Sequence, residues 1–206
     1  MEGLKDNKIV QAWLVLLLAV LFGGALSGVQ MTLGPAIEAN KINETRQKVP
    51  ELLGPSSANG ESLDIVSRSV NVDRQGKKVF YSVYEASVNG KPAGWVAKAV
   101  GQGYADKIEL LLGLDPGLNK ITGLFILEQK ETPGLGNKIV TPEWRGQFIE
   151  KSIQSPLEVV KTGAETPYEI NAITGATISS RSVTEIINSA VKDLKKPLSG
   201  QTRPLE

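Results

Sequence analysis

The feature that most constrains this chain is a stretch without charged residues, Ile9–Ile37, close to its N-terminus. The densest part of this stretch, Ala12–Val29, is nearly all apolar. A helix of about 20 apolar residues, rising about 1.5 Å per residue, spans the hydrocarbon core of a bilayer. We therefore predict a single transmembrane helix over residues 9–33.

The charges on either side of this stretch predict its orientation. Lys5 and Lys8 precede it and Glu38 follows it, and positive charges are favoured on the cytoplasmic side. We therefore expect residues 1–8 in the cytoplasm, a single-pass anchor in the inner (cytoplasmic) membrane, and the main domain on the periplasmic or extracytoplasmic side. The alternative is a signal peptide cleaved near Ala25-Leu26-Ser27. The apolar run is longer than the hydrophobic region of a typical signal peptide, which favours an uncleaved anchor.

The composition excludes several classes of chemistry. The 206 residues include no cysteine and no histidine, and the formal net charge is +1. The chain therefore cannot form disulfides, ligate iron–sulfur clusters through thiolates, or build a Ser-His-Asp triad. The charge gives no indication of a nucleic-acid partner. We expect no metal site and no catalytic acid or base of its own, and chemistry that comes from an organic cofactor.

The middle of the chain is predicted to form an antiparallel sheet. Asn89-Gly90 is a strong signal for a tight hairpin, and Asp115-Pro116-Gly117 predicts a turn. Runs of β-branched and other apolar residues indicate strands. The predicted strands are Val79–Tyr84, Trp95–Val100, Ile108–Leu114 and Ile121–Glu128.

Helices complete a predicted α+β fold, in which an antiparallel sheet carries packed helices after the membrane anchor. Pro142 in a first turn predicts a helix over Thr141–Ile153. We expect residues 34–60 to form a helical or irregular stalk that ends in a loop, residues 61–198 to form the domain, and residues 199–206 to form a frayed tail.

A last helix is predicted from apolar residues at helical spacing. These are Val183, Ile186, Ile187, Ala190, Val191 and Leu194. Ser179, Ser180 or Ser182 can cap this helix, and Ser182 with Glu185 makes a capping-box pair.

The segment before that helix, Asn171–Ser180, is rich in small and hydroxyl residues. A helix N-terminus offers free backbone N–H groups and the positive end of a dipole, which suits a phosphate. Gly175 and Ala176 allow a ligand to approach the backbone closely. An ordinary capped turn before a surface helix is the alternative.

A second loop has a similar character. Between Glu131 and Lys138, Pro133 fixes one backbone dihedral, while Gly134 and Gly136 permit positive φ and close approach. Such a loop is typical of a ligand-facing segment, although a tight connector between a strand and a helix would have the same composition.

Both loops resemble a known family. Thr174-Gly175-Ala176-Thr177 resembles the (Ser/Thr)-Gly-Ala-Thr motif of the covalent FMN-binding domain. Residues 131–136, Glu-Thr-Pro-Gly-Leu-Gly, are similar to a segment that lies against the flavin in that family, and Gly101-Gln102-Gly103-Tyr104 resembles its Gly-x-Gly-Tyr segment. Asn171 stands where the family usually has Asp. The family includes the G subunit of the Rnf electron-transport complex and the C subunit of the sodium-pumping NADH:quinone reductase.

The resemblance implies a cofactor and a site. In this family a dedicated flavin transferase joins FMN covalently, through its phosphate, to the residue that corresponds to Thr177. Lys138 or Arg181 is then expected to stabilise a reduced, negatively charged flavin. The expected cofactor-binding residues besides Thr177 are Glu131, Thr132, Pro133, Gly134, Leu135, Gly136, Lys138, Thr174, Gly175, Ala176, Ser179 and Ser180.

The resemblance also implies a function. We expect an electron-relay subunit of an Rnf-type, ferredoxin:NAD, ion-translocating oxidoreductase, whose partners are the membrane and the flavin and iron–sulfur subunits of the complex. The equivalent subunit of the sodium-pumping quinone reductase is the first alternative, and the compact length of this chain favours the Rnf assignment. A non-redox, membrane-anchored extracytoplasmic binding module is the second alternative.

Overall fold

A computed structural model describes residues 7–54, 63–74 and 76–199 of the chain. The chain divides into two compact units, residues 1–44 and residues 45–206. Most of the predicted N-terminal segment at 1–8, of the loop predicted at the end of the 34–60 stalk and of the predicted tail at 199–206 lies outside the described residues.

Helix α1 runs from Lys8 to Leu52. Its most apolar window has a mean hydropathy of 2.4, and none of that window is buried. By length and composition this helix can cross a membrane, although a signal sequence near an N-terminus would satisfy the same criteria. The region after residue 33, for which the sequence left helical and irregular conformations open, is helical as far as Leu52.

Five antiparallel strands form one sheet in the order β1-β2-β3-β4-β5. The strands are β1 (Leu63–Arg74), β2 (Lys77–Val88), β3 (Lys91–Gln102), β4 (Lys107–Leu114) and β5 (Ile121–Glu128). The four predicted strands are confirmed as β2 to β5. The predicted hairpin is also present, because Asn89 and Gly90 have φ angles of 51° and 74° between β2 and β3, the positive values that a two-residue hairpin turn requires.

The sequence patterns do not predict β1. This strand pairs with β2 along its whole length, from Leu63 opposite Val88 to Arg74 opposite Lys77. It is an edge strand with much of its surface exposed, so polar residues interrupt the apolar alternation on which strand prediction depends. A second, two-stranded parallel sheet of β6 (Glu158–Val160) and β7 (Glu169–Asn171) is likewise not predicted.

The predicted helix over Thr141–Ile153 is wrong in length. Helix α2 covers only Pro142–Arg145 and is followed by a 3₁₀ turn at Gly146–Phe148. Beyond it Ile149 and Glu150 form a turn, in which Glu150 has a φ of 64°, and Glu150 and Lys151 exchange backbone hydrogen bonds with Ile121 at the start of β5. Pairing with the sheet edge therefore replaces the hydrogen bonds that a longer helix would have made.

The two faces of the sheet are covered by different helices. Helix α3 (Thr177–Ser199) packs against β3. The apolar residues predicted for this helix are buried, except Val191, which is partly buried against the same core. On the opposite face, Val49, Leu52 and Leu53 at the end of α1 join a second core cluster. The site described next lies where α3 begins.

Candidate functional site

Helix α3 begins at Thr177, within the Thr-Gly-Ala-Thr segment. The predicted capping box of Ser182 and Glu185 is therefore wrong, because both residues lie beyond the first turn of the helix. Ser180 joins the helix to the preceding loop instead. Its buried hydroxyl accepts the N–H of Ile173 and donates to the carbonyl oxygen of Ala176, both at 3.0 Å.

The start of α3 presents backbone donors. Within residues 7–54, 63–74 and 76–199, the N–H groups of Thr177, Ile178 and Ser179 make no hydrogen bond. The first amides of a helix lack intrahelical partners and carry the positive end of its dipole. Three directed donors and this partial charge can bind a phosphate group.

The second loop folds as a compact turn. The N–H groups of Leu135 and Asn137 both donate to the carbonyl oxygen of Thr132 at 3.2 Å, and a 3₁₀ turn follows at Gly136–Val140. Gly134 has a φ of 76°, a conformation that favours glycine. These bonds hold Leu135 at the tip of the turn, where this residue is 42% exposed.

Glu131, at the beginning of this loop, is buried and does not line the cleft described below. Its Oε1 accepts the N–H of Ala105 at 3.1 Å, and its Oε2 accepts the hydroxyl of Ser179. The neighbouring Lys130 instead forms an ion pair with Asp106 at 3.1 Å. The N–H of Lys107 and then the ammonium of Lys130 lower the pKa of the Asp106 carboxyl.

The two loops and the turn between β3 and β4 enclose a cleft of about 520 Å³. This volume is within the range of small-molecule and cofactor sites. Two lining residues are absent from the predicted set: Tyr104, which is 61% exposed, and Ile178, which is 56% exposed. Tyr104 belongs to the Gly-x-Gly-Tyr segment, which is the sequence signal that could have identified it. The lining residues are Tyr104, Thr132, Leu135, Gly136, Gly175, Ala176, Thr177, Ile178 and Ser179.

Some expected residues lie outside this lining. Thr174 is exposed, Lys138 does not reach the cleft, and Ser180 is buried in the helix–loop junction. Lys138 and Arg181 form no ion pair within the described residues. The expected residues that do not line the cleft are Glu131, Pro133, Gly134, Lys138, Thr174 and Ser180.

Asn171, at the position where the family usually has Asp, makes hydrogen bonds through both its backbone and its side chain. Its backbone oxygen accepts the indole N–H of Trp144 at 2.9 Å, and its N–H donates to Gln147 at 2.8 Å. Its side-chain oxygen accepts the N–H of Ala164 at 2.9 Å. A carboxylate could accept the same N–H, so the substitution keeps the acceptor on which this contact depends.

A separate apolar groove of about 330 Å³ lies between residues 153–157 and the C-terminal half of α3. Lys192 and Lys195 border it, and it contains none of the predicted site residues. Within the described parts of the chain, no group of three or more acidic side chains could hold a metal ion. The cleft at the start of α3 is the candidate site because it brings Thr177 together with residues of both predicted loops.

Comparison with known sequences gives a consistent result. Residues 103–192 match the family model described as the FMN-binding domain. The G subunit of the ion-translocating oxidoreductase complex of Methanosarcina acetivorans is 31% identical over 151 residues, which are 73% of this chain and 75% of that protein. The G subunit of the Na(+)-translocating ferredoxin:NAD(+) oxidoreductase complex of Acetobacterium woodii is 34% identical over 143 residues, 67% of this chain and 68% of that protein.

Solved structures share the fold. NqrC of Shewanella oneidensis superposes with a TM-score of 0.63 over 79% of this chain and 99% of its own, at 18% identity. The C subunit of the Na(+)-translocating NADH-quinone reductase of Parabacteroides distasonis gives a TM-score of 0.54 over 65% of this chain and 78% of its own, at 26% identity. The matched range 103–192 contains every residue that lines the cleft.

Proposed function

Because this chain belongs to the FMN-binding G-subunit family of ion-translocating oxidoreductase complexes, we propose that it is an electron-relay subunit that carries FMN covalently on Thr177. Its family makes it a redox flavoprotein subunit of such a complex. The covalent phosphoester, the ferredoxin:NAD pairing and the orientation in the membrane are further parts of the proposal.

The observation that carries the covalent link is the position of Thr177. This residue begins α3, lines the cleft and is only partly buried. It is therefore on the same surface as the unpaired N–H groups of the first turn. A phosphate esterified to Thr177 would have helix amides beside it to offset its remaining negative charge.

The shape and chemistry of the cleft fit the rest of an FMN molecule. Isoalloxazine has apolar faces and polar edges, and the cleft is bordered by the exposed side chains of Tyr104, Leu135 and Ile178. Large apolar side chains grouped around a cleft are typical of ligand sites. Gly175, which is exposed, leaves the backbone accessible in one wall. Bound FMN supplies the electron-carrying chemistry, and these residues hold and shield it.

The chain does not activate its own hydroxyl in this proposal. A threonine needs a base or a metal to become a nucleophile, and the sequence has no histidine to act as that base. As the resemblance to the covalent FMN-binding family implies, a separate flavin transferase performs the attachment. A covalent bond prevents loss of the cofactor, which matters for a carrier outside the cytoplasm.

The proposed location follows from the first helix. Residues 9–33 span the inner membrane, residues 1–8 lie in the cytoplasm, and residues 61–198 form the extracytoplasmic FMN domain beyond the stalk at 34–60. Support comes from the uncharged stretch and from the lysines that precede it. In this position the protein would exchange electrons with membrane, flavin and iron–sulfur subunits of the complex.

Of the two alternative functions, the C subunit of the sodium-pumping quinone reductase is better supported than the non-redox binding module. The structural neighbours include two such subunits. However, the C subunit of Vibrio anguillarum matches over only 90 residues and 35% of its length, whereas the G subunits above match over two thirds or more. We therefore favour the G-subunit assignment. The FMN-binding family match argues against a non-redox binding module.

The test is to express the full-length chain together with a bacterial flavin transferase and to measure its intact mass. We expect the mass to rise by one esterified FMN and the denatured band on a gel to fluoresce under ultraviolet light. Thr177→Ala and Thr177→Val should give no fluorescent band and no increase in mass. Thr177→Ser should retain FMN labelling because it keeps the hydroxyl. A wild-type chain at its unmodified mass would contradict the covalent proposal.

A further inference from the structure

Glu131 connects three segments that each supply part of the cleft wall. Its own loop continues to Leu135. Its Oε1 accepts from Ala105, next to Tyr104, and its Oε2 accepts from Ser179, in the same helical turn as Thr177. One glutamate thus contacts or belongs to every wall of the site.

The space around this carboxyl group leaves no room for additional atoms. A Cβ added to Gly103 would lie 2.5 Å from Glu131 Oε1 and 2.5 Å from the carbonyl oxygen of Asp106. A Cβ added to Gly136 would lie 2.7 Å from Ser179 Oγ and 2.9 Å from Glu131 Cβ. Glycine at 103 and 136 therefore allows the three segments to meet at the carboxyl group.

The contacts of Glu131 are also made away from water. This residue is 4% exposed, and within the described residues no lysine or arginine forms an ion pair with it. Both oxygens act as acceptors, which is the arrangement of a carboxylate. Buried hydrogen bonds to such a group are stronger than exposed ones, and their loss leaves donors without partners.

We propose that Glu131 is the positioning residue of the FMN site, and that it holds the first turn of α3 and the Tyr104 turn in the arrangement in which Thr177 accepts FMN. This inference rests on the proposed function. It assigns Glu131 a role through Ser179 and Ala105, in place of the direct flavin contact that the family resemblance implies.

The experiment compares full-length variants in detergent by two measurements. The first is the initial rate of FMN attachment by a bacterial flavin transferase. The second, made on the unmodified chain, is hydrogen exchange of the peptides that contain Ala105 and Thr177–Ser179. The variants are Glu131→Ala, Glu131→Gln and Ser179→Ala. The control is Thr122→Val, which removes a hydrogen bond of 2.6 Å to the carbonyl oxygen of Leu52, a residue of the core cluster on the other face of the sheet.

We expect Glu131→Ala to slow attachment about tenfold, since two buried hydrogen bonds are lost. Exchange should become faster in both peptides. Glu131→Gln should recover most of the rate, because its amide keeps the shape and can hydrogen-bond both partners. Adding Ser179→Ala to Glu131→Ala should slow attachment by less than the product of the two single effects, because both changes remove the same contact.

Two results would overturn the inference. One is a wild-type attachment rate and wild-type exchange in Glu131→Ala. The other is an equal loss of rate in Thr122→Val, which would assign the effect to general stability. If the wild-type chain accepts no FMN, the covalent proposal fails instead, and the exchange measurement still decides whether Glu131 holds the three segments together.

Discussion

Leu135 lies against Gly175, so that a Cβ on the glycine would be 3.0 Å from Leu135 Cδ2. The two residues are far apart in the sequence, and their contact joins the two loops in which the flavin motifs occur. Gly175 also has a φ of 80°, a conformation that side chains rarely adopt. The positive φ favours glycine at this position, and any larger residue would in addition have to displace the Leu135 side chain.

The first prediction uses the positive φ of Gly175 and its contact with Leu135. Gly175→Ala should destabilise the domain by about 1–2 kcal/mol from its positive φ and should also displace Leu135 in the cleft. Gly134→Ala is the matched control, because Gly134 has a φ of 76° but nothing within 4 Å of its Cβ position. We expect similar losses in urea unfolding but a lower extent of FMN attachment only in Gly175→Ala. Equal attachment in the two variants would contradict the role of the Leu135 contact.

A second prediction concerns alkaline pH. The Tyr81 hydroxyl donates to Asp193 at 2.9 Å and accepts from Arg74 at 2.9 Å. Burial, followed by the hydrogen bond to Asp193, raises the pKa of Tyr81 to about 12. Since an unfolded tyrosine titrates near a pH of about 10, the unfolded chain loses this proton first. The stability from Tyr81 is fully present below about pH 10 and is lost as the pH rises towards about 12.

Urea unfolding of wild type and Tyr81→Phe at several pH values measures this effect. The stability difference between the two proteins should be largest below about pH 10 and should shrink above it. Tyr104→Phe serves as the control, because the exposed Tyr104 makes no such network within the described residues. A difference that stays constant up to about pH 12 would rule out the proposed titration.

The third prediction concerns the far face of the sheet. Gly113 on β4 pairs with Gly123 on β5, and the backbone of Leu52 lies over both residues. A Cβ at residue 113 would collide with the carbonyl oxygen of Leu52, so Gly113→Ala should destabilise the domain by about 1–3 kcal/mol. Gly146→Ala should be neutral, because residue 146 has helical dihedrals and open space around its Cβ position. Equal unfolding midpoints for these two variants would exclude this packing.

The fourth prediction addresses the proposed orientation in the membrane. A reporter fused after Glu206 should be active only if it is an enzyme that works outside the cytoplasm, such as a periplasmic phosphatase. Replacing Lys5 and Lys8 with glutamate should weaken this preference, because positive charge retains a segment on the cytoplasmic side. Activity of a reporter that works only in the cytoplasm would reverse the assignment.

Local patterns identified those elements whose stabilising partners are near in sequence. The hairpin at Asn89-Gly90 needs positive φ at adjacent residues, and the apolar stripe of α3 needs only helical spacing, so both can be read from a few neighbouring positions. The turn after Phe148 could not be predicted in this way. Its conformation depends on backbone hydrogen bonds to Ile121, which lies far earlier in the chain.

The amino-acid sequence alone determined the α+β class, the apolar first helix, the two loops that resemble the FMN-binding family and the family itself, because each of these is encoded in residue type and short spacing. Only the tertiary structure decided that Tyr104 and Ile178 line the cleft and that Glu131 lies beneath it. The physical reason is that three loops meet there, and which side chains become buried or exposed at their junction depends on contacts between distant parts of the chain.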